Sequence, residues 1–403
     1  MAFELKQSDL EALLQGGCFF GSGGGGTITS ARHLAENFVA GDYYPAASVR
    51  VVDVADATKG DAVMVAYLGA PVAINQVKYP DGPVKAVAMV KQHLEQQGRK
   101  LAYIVPPESG ALGFVVACLV AAHFGLEVID ADGAGRAVPS LPMLTFAAEG
   151  VNPRPTMLVS QQGLQVELNV TPRGNGEVNG CSQHQQDVAA IIEQMVRPIV
   201  AEQEFGQFGG LAMWIMDTDE LARALPIQGT LSRALRMGRL LQQRELGTAA
   251  EVVRYLEEKA GLGARALFGP GRITAVKEDT TGGFDVGKVS IESDDGLCTV
   301  VYQNESLLAW NSAQGQPIGM APDSLAYFVE GEGQQVFSNG DLLLADGRLN
   351  PQVQGRPVSV IGIGAAAPLR VPGGLILDSF MEQVGKLGYL GPYLPLFDNG
   401  GVK

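Results

Sequence analysis

Basic residues are in short supply in this chain, and nowhere do they cluster. Lys and Arg number 29 against 43 Asp and Glu, for a net charge of −14. Nucleic-acid binding needs Lys/Arg clusters to neutralise phosphates, so no such partner is expected. Cysteine is equally sparse. Cys18, Cys118, Cys181 and Cys298 lie far apart without CxxC spacing, which excludes a disulfide framework and reads as reduced thiols in a cytosolic protein. Long apolar runs are missing too. The longest, residues 114–123, is too short to span a bilayer. The start, MAFELKQSDLEALL, lacks the basic n-region and apolar core of a secretory signal. A cytoplasmic protein with no membrane partner is the expectation. Histidine is limited to His33, His93, His123 and His184, with no HxH or HxxxH. Cys181-Ser182-Gln183-His184 has zinc-like spacing but no second pair, which supports a metal only weakly, and no cofactor is assigned.

What is present is apolar. Hydrophobic residues make up 46% and charged residues 18%, enough to fill well-packed cores and too much for a disordered chain. At 403 residues, two domains are expected. Residues 1–155 alternate between helical and strand signals. Leu10, Leu13 and Leu14 mark a helical face, and a helix is predicted from Ile28 to Val39 after a glycine loop. Strands are predicted at 49–54, 62–68, 101–105 and 126–129, and helices at 84–97 and 110–124. Alternation of this kind predicts a three-layer α/β/α domain with a mainly parallel sheet. Residues 156–265 read as a two-strand segment, with a turn at Gln161-Gln162-Gly163, followed by a helical connector. The two strands are expected to pair with the later β domain. Residues 266–403 turn to β texture, with hairpin signals at Thr281-Gly282-Gly283 and Asp294-Asp295-Gly296. They predict a small antiparallel, barrel-like domain and a tail that packs back across the body.

Three constellations could carry chemistry. Gly23, Gly24, Gly25 and Gly26 open a helix, where exposed N–H groups can hold an anion or a carbonyl oxygen; a tight packed turn is the plainer explanation. Glu108 follows a strand in PPESGALG, positioned either to face a ligand or to stabilise a helix start. Asp130 and Asp132 alternate by two at a strand end, with Arg136 close behind. Such carboxylates can hold a metal, share a proton or grip an amide, and Arg136 could bind a substrate oxygen; a structural Asp–Arg turn is the alternative. Asn304 and Glu305, polar residues inside VVYQNESLLAW, could form a second wall. Loops after neighbouring parallel strands share one sheet edge, so the glycine loop, Glu108 and the 130–136 turn are expected to meet in one cleft beneath the β domain.

Several motifs in one order resemble the family known as domain of unknown function 917, associated with S-methyl-thiohydantoin desulfurase activity and with hydantoinase-type genes. They are LQGGCFFGSGGGG, LGAPVA, PPESGALG, DADGAGRAVP, GTLSRALRMGR, GGFDVGKV, YQNESLLA and APDSL, and they span nearly the whole chain. Two positions depart from the family pattern: the Asn75-Gln76 region and Ser140 stand where many members carry acids. The resemblance implies a three-layer α/β domain followed by a β-barrel domain. It also implies a hydrolase acting on a small cyclic ureide or S-methyl-thiohydantoin. On that expectation Glu108 is the general base, Asp130 or Asp132 accepts from ring N–H groups, and the glycine amides donate to a carbonyl oxygen. Two alternatives are a non-catalytic ligand-binding or regulatory partner of a hydantoinase-type enzyme, and a metal-dependent hydrolase using Asp130, Asp132 and His184. Homo-oligomerisation is compatible with either.

Overall fold

The computed structural model of the protein describes residues 2–36, 48–69, 74, 77–171, 181–281 and 284–398, with residues 181–187 and 281 described by backbone alone. Asn75, Gln76, Gly282 and Gly283 lie outside the described residues, as do the side chains of Cys181 and His184.

Among the described residues, the first sheet has eight strands in the order β1-β2-β5-β4-β3-β8-β6-β7. These are β1 Phe3–Lys6, β2 Ser48–Val52, β3 Asp61–Gly69, β4 Leu101–Val105, β5 Glu127–Ile129, β6 Thr156–Ser160, β7 Gln165–Leu168 and β8 Phe208–Met216. The central strands β2, β5, β4 and β3 run parallel, and β1, β8, β6 and β7 add antiparallel pairs at the flanks. The hairpin β6–β7 is a correction to the sequence reading. It joins the first sheet through β8, not the later β domain. The reason is legible in burial: all five residues of TMLVS are buried, so β6 lies inside a sheet covered on both faces.

Side-chain alternation divides the core in two. Val63, Val65 and Ile104 face one apolar layer, whereas Ala62, Met64, Tyr103 and Val105 face the other. The first layer holds helices α1 Leu10–Phe20, α2 Ile28–Glu36, α3 Asp81–Gln96 and α4 Ala111–Phe124. The sequence ALGFVVACLVAAHF is apolar all round, which is why α4 sits buried beneath its neighbours. The second layer holds α5 Thr145–Ala148, α6 Cys181–Ala201 and α7 Thr218–Ala224. Two further helices, α8 Thr230–Gln242 and α9 Ala249–Glu258, return to the first layer. Helices α1 and α8 touch backbone to backbone: a Cβ on Gly16 would lie 1.8 Å from the Ala234 carbonyl oxygen, and one on Gly238 would lie 1.7 Å from that of Ala12.

The second sheet has seven strands, β9 Ala264–Thr281, β10 Phe284–Ser293, β11 Gly296–Gln303, β12 Glu305–Asn311, β13 Gln316–Met320, β14 Ser324–Val329 and β15 Val358–Ile363. All are antiparallel in the order β13-β12-β11-β10-β9-β15-β14. The sheet curls until β14 lies against β12 and β13, which makes a half-barrel around its own core. The expected tail contains a helix, α10 Leu375–Lys386, whose Ile376, Phe380 and Val384 enter the core of the first domain. No helix among the described residues is long and apolar enough to cross a membrane.

Candidate functional site

One cavity of about 130 Å³ lies where the two sheets' loops meet, lined by Gly23 to Gly26, Glu108, Asn304 and Glu305. Part of the expected convergence is therefore present. Glu108 follows β4 and Asp130 follows β5, and those strands are parallel neighbours linked by α4. The turn after β5, however, directs its polar groups into the protein. Asp132 accepts from Ser109 Oγ at 2.7 Å, the Ala134 amide at 2.9 Å and the Gly135 amide at 2.6 Å. Asp130 accepts from the Ser232 amide at 3.0 Å, in the first turn of α8. Arg136 is 1% exposed and donates to the carbonyls of Ala137, Pro322, Asp323 and Ser306. None of these three residues lines the cavity. A carboxylate bonded to its own loop and one waiting for a ligand look alike in sequence.

The cavity instead holds two facing carboxyls. Glu108 comes from the first domain, and its Oε2 accepts from the Val138 amide at 2.7 Å. Glu108 keeps some accessible surface where it lines the cavity, although protein packs densely around it. Glu305 starts β12 and is 4% exposed, with Oε2 buried and without a hydrogen-bond partner among the described residues. Burial raises both carboxyls, and the negative field of Glu305 raises Glu108 further, well above the ordinary carboxylate range. Glu305 is pushed up to about 7 by burial, against the opposing pull of Arg136 and the Gly25 amide. Two interacting carboxyls lining one cavity do not both ionise readily, an arrangement that suits one acid and one base.

The glycine loop is committed elsewhere than expected. The Gly24 amide donates to the Gly21 carbonyl at 2.9 Å, and the Gly25 amide faces Glu305. The α2 amides of Ile28 and Thr29 donate to the Asp341 carboxylate at 2.9 and 3.4 Å. Asn304 has φ 54°, and its Oδ1 accepts from the Asp285 amide at 2.9 Å, which locks the turn that presents Glu305.

Other lining residues went unread in the sequence. Glu278, on β9, accepts from the Tyr302 hydroxyl at 2.8 Å, and burial raises its carboxyl. Asp285, on β10, is 5% exposed and accepts from Thr280 Oγ1 at 2.8 Å. Glu193 and Arg197 pair at 2.6 Å on α6. Their i,i+4 spacing on an otherwise apolar helix face was the signal available. Glu278 offered none, since KEDTT reads as an exposed strand end. Ser140, where the resemblance led to the expectation of an acid, lines the same cavity. Among the described residues, no group of three or more His, Cys, Asp or Glu is arranged to hold a metal ion.

An α/β domain with a parallel centre, joined across an acid-lined cavity to a curled antiparallel sheet, defines the class of protein. Family models for the S-Me-THD-like N-terminal domain and the S-Me-THD-like C-terminal domain match residues 8–170 and 186–392. The chain belongs to the S-Me-THD-like family. It is also similar to a protein from Chromobacterium violaceum solved by X-ray crystallography, with 57% identity over 98% of this chain and 100% of that one and a TM-score of 0.89. No curated protein matches.

Proposed function

We propose that the protein hydrolyses a small S-methyl-thiohydantoin to the corresponding cyclic ureide, releasing methanethiol. The observation that carries this reading is the Glu108–Glu305 pair, two interacting carboxyls in a cavity sized for a small ring. Family membership points to the substrate class. Glu305, poised about neutral, removes a proton from water as the water oxygen adds to the ring carbon bearing sulfur. Glu108, held protonated, gives its proton to the departing sulfur as the carbon–sulfur bond breaks. The remaining hydroxyl proton passes to the ring nitrogen, the ring carbon keeps the water oxygen as a carbonyl, and transfer of the captured proton from Glu305 to Glu108 restores the starting state. Water is the only co-reactant. Asp130, Asp132 and Arg136 act here as scaffold. A hydantoin-opening enzyme would consume the product, so a functional link to such an enzyme belongs to this proposal.

The test is methanethiol release, followed by headspace analysis, from a panel of S-methyl-thiohydantoins. Wild type should turn over at least one member, and Glu305→Gln should lower kcat about 10²–10⁴-fold, the range for a lost general base. No release across the panel would remove the proposed reaction. Release by Glu305→Gln and Glu108→Gln within about tenfold of wild type would remove the assigned roles and leave the reaction.

A further inference from the structure

The cavity's charge is lopsided in a way the two reacting carboxyls do not explain. Besides Glu108 and Glu305, three more acids line it: Glu193, Glu278 and Asp285. Arg197 is the lone Lys or Arg among the lining residues, and it is already engaged. Its Nε donates to Glu193 Oε1 at 2.6 Å, its NH2 to the Pro139 carbonyl at 3.2 Å, and its guanidinium lies over the Phe284 ring at 4.2 Å. Several N–H groups of the glycine loop and helix start are engaged as well. Gly25 faces Glu305, and the α2 amides hold Asp341. Glu305 adds a buried carboxylate oxygen without a partner among the described residues, an acceptor in want of a donor.

The three acids on the second sheet form a row of acceptors. Tyr302 holds one oxygen of Glu278, and Thr280 holds one oxygen of Asp285. Each carboxyl is thus fixed from behind by a single hydroxyl. Tyr302 is itself fully buried, and its hydroxyl fills the space a Cβ on Gly287 would need, 2.5 Å away. The first domain adds the apolar side chains of Met64, Leu68, Leu112, Leu144 and Leu211 to the lining.

We infer that this cavity selects small rings rich in N–H donors and rejects any ring carrying a carboxylate, with Glu278 as the residue that sets the discrimination. The inference deepens the proposed function, since it concerns the same site and names the ring chemistry admitted there. Size agrees. An apolar cavity of about 150 Å³ takes up benzene, so about 130 Å³ suits a five-membered ring with a small substituent. A ring N–H would satisfy an acceptor that now lacks a partner, whereas a carboxylate would meet a surplus of acids and, among the described lining residues, a single cation that is already paired. Buried like charges repel far more strongly than solvated ones.

The experiment compares two nearly isosteric ligands, 5-(carboxamidomethyl)hydantoin and 5-(carboxymethyl)hydantoin, by calorimetry at neutral pH. The amide should bind, and the carboxylate should bind about tenfold or more weakly. Glu278→Gln should narrow that gap by improving the carboxylate while weakening the amide, a pattern that general loss of structure would not give. Equal binding of the two ligands would overturn the inference. So would a gap unchanged in Glu278→Gln, or no binding of either ring. Methanethiol release is read separately: selective binding without release would sink the proposed reaction and uphold the selectivity.

Discussion

Replacing Arg136 by Met should cost this protein about 3–5 kcal/mol, although Arg136 does not line the candidate site. The figure follows from its surroundings. The side chain is 1% exposed, and its guanidinium donates at 2.7 Å to Asp323 O, 3.1 Å to Ser306 O, 3.2 Å to Pro322 O and, through Nε, 2.9 Å to Ala137 O. Three of those carbonyls belong to the second sheet and its loops, so the residue ties the two domains together. Hydrogen bonds from a charged donor contribute about 1.5–3 kcal/mol each, and a carbonyl left buried and unpaired costs about 1–3 kcal/mol. Against that stands desolvation, which is severe enough to pull Arg136 down to about 10. Met fills the volume and packs on the Phe380 ring, which now lies 5.2 Å from the guanidinium carbon. The net loss is then a few kcal/mol, not the sum of all the bonds. Urea unfolding at pH 7 is the assay. A chain of this length loses roughly 5 °C of Tm for about 4 kcal/mol, so a thermal melt gives an independent check. Arg136→Lys, which keeps the charge but not the planar fork, should fall between the two. A loss below about 1 kcal/mol for Arg136→Met would refute the claim that these bonds hold the domains together.

Stability should also report on Glu305. Its carboxyl titrates near 4.5 when unfolded and about 7 when folded, so between those values the folded state holds a proton that the unfolded chain has lost. This contribution is fully present below pH about 4.5 and declines as pH rises toward about 7, each unit being worth about 1.4 kcal/mol. Glu305→Gln should therefore gain on wild type from pH 5 to 8 in denaturant titrations, and parallel curves would contradict the shift. Gly238→Ala should destabilise by about 3 kcal/mol or more, because its Cβ would strike the Ala12 backbone at 1.7 Å; the gain of about 1 kcal/mol usual for Gly→Ala in an exposed helix would show the contact is loose. Asp130→Ala should remove the Ser232 bond at the start of α8 for about 1 kcal/mol and leave hydantoin affinity unchanged; a tenfold weaker isotherm would return Asp130 to the site.

Strong local patterns carried the fold reading. The strand 101–105 is bounded by basic residues on one side and Pro106-Pro107 on the other, so its limits are set chemically. The helix 110–124 is a long apolar run stopped by Gly125 in a left-handed conformation. Strand β8 escaped notice because FGGLAMWIM opens with glycines and carries no alternation, being buried on both faces. Helix α10 was hidden in a stretch whose prolines and tyrosines, and all of its glycines but Gly385, lie outside it. In the site, Glu108 and Glu305 were named from their positions after and within strands. Asp130, Asp132 and Arg136 were assigned to the ligand because paired acids near an arginine do not disclose their acceptor counts. The hydrogen bonds that hold them, from amides and a hydroxyl to the two acids and from Arg136 to carbonyls, depend on what the fold brings beside them, a tertiary property.

The glycine run shows the same point from the other direction. Gly23, Gly25 and Gly26 have φ of 81°, 71° and 84°, which favours glycine regardless of any ligand. Each also faces a different neighbour. A Cβ on Gly23 would sit 2.4 Å from Ser306 Oγ, on Gly24 2.2 Å from Glu305 Oε1, on Gly25 2.5 Å from Gly110 Cα and on Gly26 2.3 Å from Leu112 Cβ. The loop is thus pressed between the second sheet and the start of α4, and side chains there would push the domains apart. Its closeness has an electrostatic consequence. The Gly25 amide is brought against Glu305, and the following helix start against Asp341. The places where an outside anion would have been welcome are taken by the protein's own carboxylates. A ligand in this cavity must therefore bring hydrogens to acceptors, and the run of glycines that first suggested an anion site becomes an argument for a donor-rich ring.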